Sequence, residues 1–209
     1  MDFHARLLPR DVRIDRAIER LTAHYRTRHY PDPAALVQPV TATASVLAEM
    51  APDNPPVPLI CAAFLIHLPR DSYEYDNIRH DYGYDTFQAV KALASFTPLF
   101  EAPEYKSEVL KDPEVAPAVR QLHMAQSIAG IRGLSALVRQ TPALHRDDVL
   151  RDAYEAHVLI AAGCRGASPL LDYLFEESIT AFLALKTGRP AAVATAPSVR
   201  IPGPKPVLH

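Results

Sequence analysis

The chain has 209 residues, 48% hydrophobic and 22% charged, which suits one soluble globular domain and is too short for two full-sized ones. A formal net charge of −2, from 22 basic and 24 acidic side chains, gives no support to a non-specific nucleic-acid binder. No apolar run approaches the ~18–20 residues that span a bilayer, and two cysteines exclude a disulfide framework and a four-cysteine zinc site.

The first predicted helix runs from Asp11 to Tyr25, with Val12, Ile14, Ala17, Ile18, Leu21 and Tyr25 at helical spacing. Arg26 to Pro33 reads as a basic loop. A second helix is expected over Pro39 to Met50, with Pro39 in its first turn. Leu59 to Leu68 is apolar on every side and predicts a buried central helix, with a strand as the rival reading. Pro69 to Asp81 reads as a tyrosine-rich surface segment, with a short helix over Asp76 to Tyr82 that Gly83 breaks. Another helix is expected over Asp85 to Ser95. Thr97 to Pro113 reads as irregular. A long helix spans Glu114 to Arg139, with Gly130 and Gly133 as points of loosening. Asp147 to Ala162 is amphipathic and closed by Gly163. Ser168 and Pro169 open a last helix that ends at Lys186.

Residues 188–209 hold five prolines and few bulky apolar groups, so they read as a disordered tail after a domain spanning 1–187. No alternating strand pattern competes, and the expected fold class is all-α: a single compact multi-helix domain. The N-terminus, Met1-Asp2-Phe3-His4-Ala5-Arg6, lacks the apolar core of a signal peptide, so a reduced, cytoplasmic protein is the expectation. Neither a dinucleotide fingerprint, a P-loop nor a G-x-S-x-G elbow is present.

Several segments together resemble a known family. They are Ala35-Leu36-Val37-Gln38-Pro39-Val40, Val46-Leu47-Ala48-Glu49-Met50, Ala62-Ala63-Phe64-Leu65 and Arg70-Asp71-Ser72. Asn77-Ile78-Arg79-His80-Asp81-Tyr82-Gly83, Ala89-Val90-Lys91-Ala92-Leu93 and Ile131-Arg132-Gly133-Leu134-Ser135-Ala136-Leu137 continue the series. In order, spacing and hydrophobic texture, residues 20–185 resemble the HD-type hydrolase domain of the RelA/SpoT family, most of all its small alarmone hydrolases. That resemblance implies an all-helical HD-like domain that uses a divalent metal, commonly Mn²⁺, to remove the 3′-pyrophosphate of (p)ppGpp.

The polar residues depart from the family's pattern. Its first metal histidine falls on Gln38, and its His-Asp pair falls on Ile66 and His67. Its Glu-Asp pair falls on Arg70 and Asp71, and its distal aspartate on Ala129 or Gly130. An alkyl side chain offers a cation no donor and an amide oxygen only a weak one, so the metal positions read as degenerate. His67 and Asp71 are the catalytic candidates that remain, four residues apart, but Pro69 argues against one continuous helix. His67 reads first as a half-buried, hydrogen-bonded histidine. His80-Asp81 reads as solvated surface, His145-Arg146-Asp147-Asp148 as a helix entry, and His123 and His157 as structural.

A binding site can outlive the chemistry. Arg26 and Arg28 correspond to the family's basic, nucleotide-contacting loop. With Arg70 they could meet phosphates, while Tyr73 or Tyr75 stacks on a base. The reading is a regulatory pseudo-hydrolase that binds a guanine nucleotide of the ppGpp class or a partner protein, without a cofactor. Two alternatives stay open. One is an active, divergent phosphohydrolase that uses Mn²⁺ with His67, Asp71 and His80, Asp81 or Asp85. The other is a structural interaction protein whose pocket is filled by Ile66 and Leu68. No DNA or membrane partner is expected. Ser168 to Lys186 suits a homodimer contact.

Overall fold

The computed structural model describes residues 8–68, 72–96, 102–141, 143 and 147–187, without the side chains of 72–74 and 187. Among them the protein is all helical, with no strand. In chain order the helices are α1 (Val12–Thr27), α2 (Pro33–Glu49), α3 (Val57–Leu65), α4 (Ser72–Tyr82), α5 (Tyr84–Phe96), α6 (Pro103–Leu110), α7 (Pro117–Gln140), α8 (Asp148–Gly163) and α9 (Pro169–Thr187).

Local chemistry sets most of the ends. Asp11 caps α1 by accepting from the Arg13 amide at 2.8 Å, and Asp32 caps α2 by accepting from the Ala35 amide at 3.0 Å. Asp147 caps α8 through the amides of Val149 and Leu150. Ser168 caps α9 through Leu171, with Pro169 in the first helical position. Gly83, at φ +90°, separates α4 from α5, a backbone state that a side chain would strain.

The observed boundaries correct the sequence reading in four places. α2 begins six residues before Pro39, because Asp32 and Pro33 already supply a cap and a first turn. Pro39 then lies inside the helix, on an exposed face beside the exposed Ala35, to whose carbonyl it offers no N–H. α4 starts at Ser72 rather than Asp76. The segment read as irregular over 97–113 contains α6. It has only eight residues and buries just Ser107 and Leu110, too few positions to show a period. α7 continues unbroken across Gly130 and Gly133.

The core has one centre. α3 is buried from Leu59 through Leu65, and α1, α2 and α5 pack around it. α7 is enclosed by α2, α5, α8 and α9. Arg120 meets the Arg165 carbonyl and Gly130 meets His157, so α8 runs antiparallel to α7. Gln121 reaches Ala167 and Arg132 reaches Ser178, so α9 returns parallel to it. Leu21, Leu47, Ile60, Phe64, Leu122 and Phe175 are almost wholly removed from water. Each such side chain contributes roughly 1.5–3 kcal/mol of burial.

Two glycines on this frame predict opposite outcomes. A Cβ at Gly163 would overlap the Ser107 backbone where α6 crosses α8, whereas Gly133 is exposed on α7 with open space beside it. Gly163→Ala is expected to lower stability by more than ~1 kcal/mol through this overlap. Gly133→Ala is expected to raise it by about 0.5–1 kcal/mol through helix propensity. Urea midpoints of the two variants check both.

Candidate functional site

The positions to which the resemblance assigns metal ligands sit on α2, on α7 and just after α3. Gln38 is exposed on α2. Ile66 is buried to 8% exposure in the core, in the turn that ends α3. His67, next in that turn, is exposed rather than half-buried, with its amide bonded to the Phe64 carbonyl at 3.4 Å. Gly130 faces the imidazole of His157, which fills the space a side chain would take. Ala129 is packed partly into the core.

This donor set does not fit a divalent cation. Ile66 and Gly130 supply no ligand atom, and Gln38 supplies a neutral amide. Among the described residues no three His, Cys, Asp or Glu side chains gather as ligands. Arg70 and Asp71 lie outside those residues, as do Pro69, His145, Arg146 and the segment 188–209. Tyr73 is placed on α4 without its side chain.

The residues offered as substitutes have other work. His80 is almost fully exposed and its Nδ1 lies 2.9 Å from Asp81. Asp81 also faces Arg20 at 3.7 Å, and its carbonyl accepts from Arg16 at 3.5 Å, which ties α4 to α1. Asp85 is exposed in the first turn of α5, where the helix dipole favours an acid.

Arg26 and Arg28 are both exposed where α1 ends. The loop beyond them has a defined shape. Thr27 donates to the His24 carbonyl at 2.8 Å, and the Tyr30 amide donates to the Tyr25 carbonyl at 3.2 Å. His29 takes the left-handed conformation at φ 55°, rare for a residue with a side chain. The half-exposed Tyr30 ring stands edge-on to Tyr25 at 5.5 Å. Tyr30 lies in the same loop as these arginines, in the run Arg26-Thr27-Arg28-His29-Tyr30, whereas the sequence reading assigns base stacking to Tyr73 or Tyr75. Arg13, Arg20, Arg132, Arg151 and Arg165 are all ion-paired, whereas Arg26 and Arg28 join no ion pair among the described residues.

Two polar arrangements, one partly and one fully buried, also escaped the sequence reading. Arg132 on α7 bonds both oxygens of Glu49 at 2.8 and 3.0 Å and the Ser178 hydroxyl at 3.3 Å, joining α2, α7 and α9. A lone arginine within an apolar helical stretch was the available signal. The second lies on α7, beside the end of α5. There His123 is 4% exposed, shares a 2.9 Å hydrogen bond between Nδ1 and Gln126 Oε1, and packs on Phe96. Burial, helped by the nearby Lys106 ammonium, pushes the imidazole down to about 3. Cys164 and Cys61 are buried, and burial pushes both thiols up to about 12, which leaves them as unreactive thiols.

His123 gives stability a defined pH dependence. Its pKa is lower in the fold than its ordinary 6.5, so the unfolded chain binds the proton first. Its contribution is complete above that ordinary value and drains as pH falls toward about 3. Stability is expected to drop by about 2 kcal/mol between pH 7 and pH 5 on this account. Urea unfolding across that range checks it, and the slope should flatten in His123→Gln.

No protein-family model, no curated protein and no solved structure matches this chain.

Proposed function

We propose that the protein is a regulatory, catalytically degenerate HD-type domain that binds a guanine nucleotide of the ppGpp class without a metal. One observation carries this reading. Where the resemblance calls for metal ligands there stand a core isoleucine and a glycine filled by His157, while Arg26 and Arg28 stay exposed and outside every ion pair among the described residues.

A phosphate chain satisfies guanidinium groups of this kind through paired, charge-assisted hydrogen bonds. Tyr30, half-exposed in the same loop, is an aromatic residue that could stack on a base. Neither group needs a cation, and the alkyl and glycine positions leave no means of lowering the pKa of a bound water.

The experiment is a thermal-shift series on metal-stripped protein with ppGpp, GTP, GDP and Mn²⁺, alone and combined. At a hundredfold excess over its dissociation constant, a nucleotide should stabilise the fold by about 2.7 kcal/mol. For a chain of this size that is roughly 5–10 °C. The shift should need no Mn²⁺ and should disappear in Arg26→Ala/Arg28→Ala. Stabilisation by Mn²⁺ alone with turnover of ppGpp would return the protein to the hydrolases. No shift with any nucleotide would favour a partner-protein function instead.

A further inference from the structure

The end of α7, the start of α8 and the end of α9 leave an apolar groove between them. It is lined by Val138 of α7, by Leu150, Arg151 and Tyr154 of α8, and by Phe182 and Lys186 of α9. It holds about 300 Å³, part of it open to solvent. The Tyr154 and Phe182 rings are stacked there with centroids 4.3 Å apart. Next in the chain to lining residues stand Leu137, Val149 and Leu183, which are 49%, 78% and 43% exposed. One exposed apolar residue is ordinary on a surface, but three around a single apolar groove mark a place of contact.

The charge on the α8 side has an excess of one sign. Arg151 lies 3.0 Å from Asp148, 3.4 Å from Asp152 and 3.9 Å from Glu155, and all three acids are largely exposed. Three carboxylates around one guanidinium leave two negative charges over, and Lys186 offsets only one of them. The groove therefore suits an occupant that is both apolar and basic. The chain supplies one. Residues 188–209 follow directly on α9, whose Lys186 lines the groove. They include Arg189, Arg200 and Lys205 and no acidic residue, and in Val199-Arg200-Ile201 two branched apolar residues flank a cation.

Reach and tethering favour this occupant. Val199 is twelve positions beyond Thr187, an extended span of roughly 40 Å. Packed helix axes are only about 8–10 Å apart, so the segment can turn back with slack. A short flexible tether gives an effective concentration in the millimolar range, which makes a contact too weak to hold a free peptide sufficient. A second copy fits less well, because a stable dimer buries roughly 1,200 Å² or more and this groove takes only a few side chains.

We propose that residues 188–209 dock on their own domain, with Val199 and Ile201 in the groove between α7, α8 and α9 and with Arg200 or Lys205 facing Asp148, Asp152 and Glu155. The segment is then held by contact rather than by a core of its own. This surface is separate from the Arg26–Arg28 loop and does not rest on the nucleotide reading.

The test uses the full chain. Both native cysteines are buried, so a nitroxide attached at Thr195→Cys is the single label, and methyl NMR signals report what it approaches. Expected is at least a twofold loss of intensity at Val138, Val149, Leu150 and Leu183 relative to the reduced label, with Val12 on α1 unaffected. Val199→Ser/Ile201→Ser should remove the loss. Asp152→Asn/Glu155→Gln, at exposed positions, should reduce it at least twofold, as should high salt. The proposal falls if the groove signals lose no more than Val12 does, if the loss survives Val199→Ser/Ile201→Ser, or if neutralising the acids leaves it unchanged. It also falls if the loss appears on mixing a nitroxide-bearing copy with an isotope-labelled copy that carries no nitroxide, since the segment then occupies a second molecule.

Discussion

Helix α7 has neighbours on four sides, and that enclosure governs the rest of the molecule. A helix so surrounded has little solvent face to spend on charge, so most of its positions must be small or apolar. Ala125, Ile128 and Ile131 meet that demand by burial, and Gly130 meets it by ceding its place to the His157 ring. The helices around it take their order from the same contacts. α8 runs back along α7 and α9 returns beside it, so the last third of the described chain forms a layer against which α2 and α5 close.

Polar groups in such an interior need a reason to be there. Arg132 has one, because its guanidinium reaches Glu49 and Ser178 and so fixes α2 and α9 against the same point of α7. Half exposure and several hydrogen bonds make that pair tolerable where an isolated charge would not be. His123 and Arg120 each keep one nitrogen without a partner. A satisfied cation thus stands at one level of the helix and unsatisfied nitrogens about two and a half to three turns away.

The sequence carried the architecture better than the chemistry. Helix ends at Asp11, Asp147, Ser168 and Gly83 were readable because a cap or a positive φ is local, set by one or two residues. α6 was not, since its burial is decided by α8, where Ser107 meets Gly163 far along the chain. Pro39 misled for a related reason: alone it marks a first turn, and only Asp32 and Pro33 upstream show that the helix has already begun. For the site, the alkyl and glycine replacements at Ile66 and Gly130 were plain in the sequence, because loss of a donor atom needs no geometry. The packing of His123 on Phe96 was invisible, since α5 and α7 bring those two rings together only in the fold.

The two cysteines have a practical consequence. Cys61 and Cys164 are the chain's complete set of thiols, and both are buried within the helical core. The native surface of the described domain therefore offers nothing for maleimide dyes, spin labels or cross-linkers to seize. Any cysteine introduced on an exposed helix face would be the sole reactive handle, without deletion of the native pair. A wild-type background ready for site-selective labelling makes distances between α1, α6 and α9 measurable in solution.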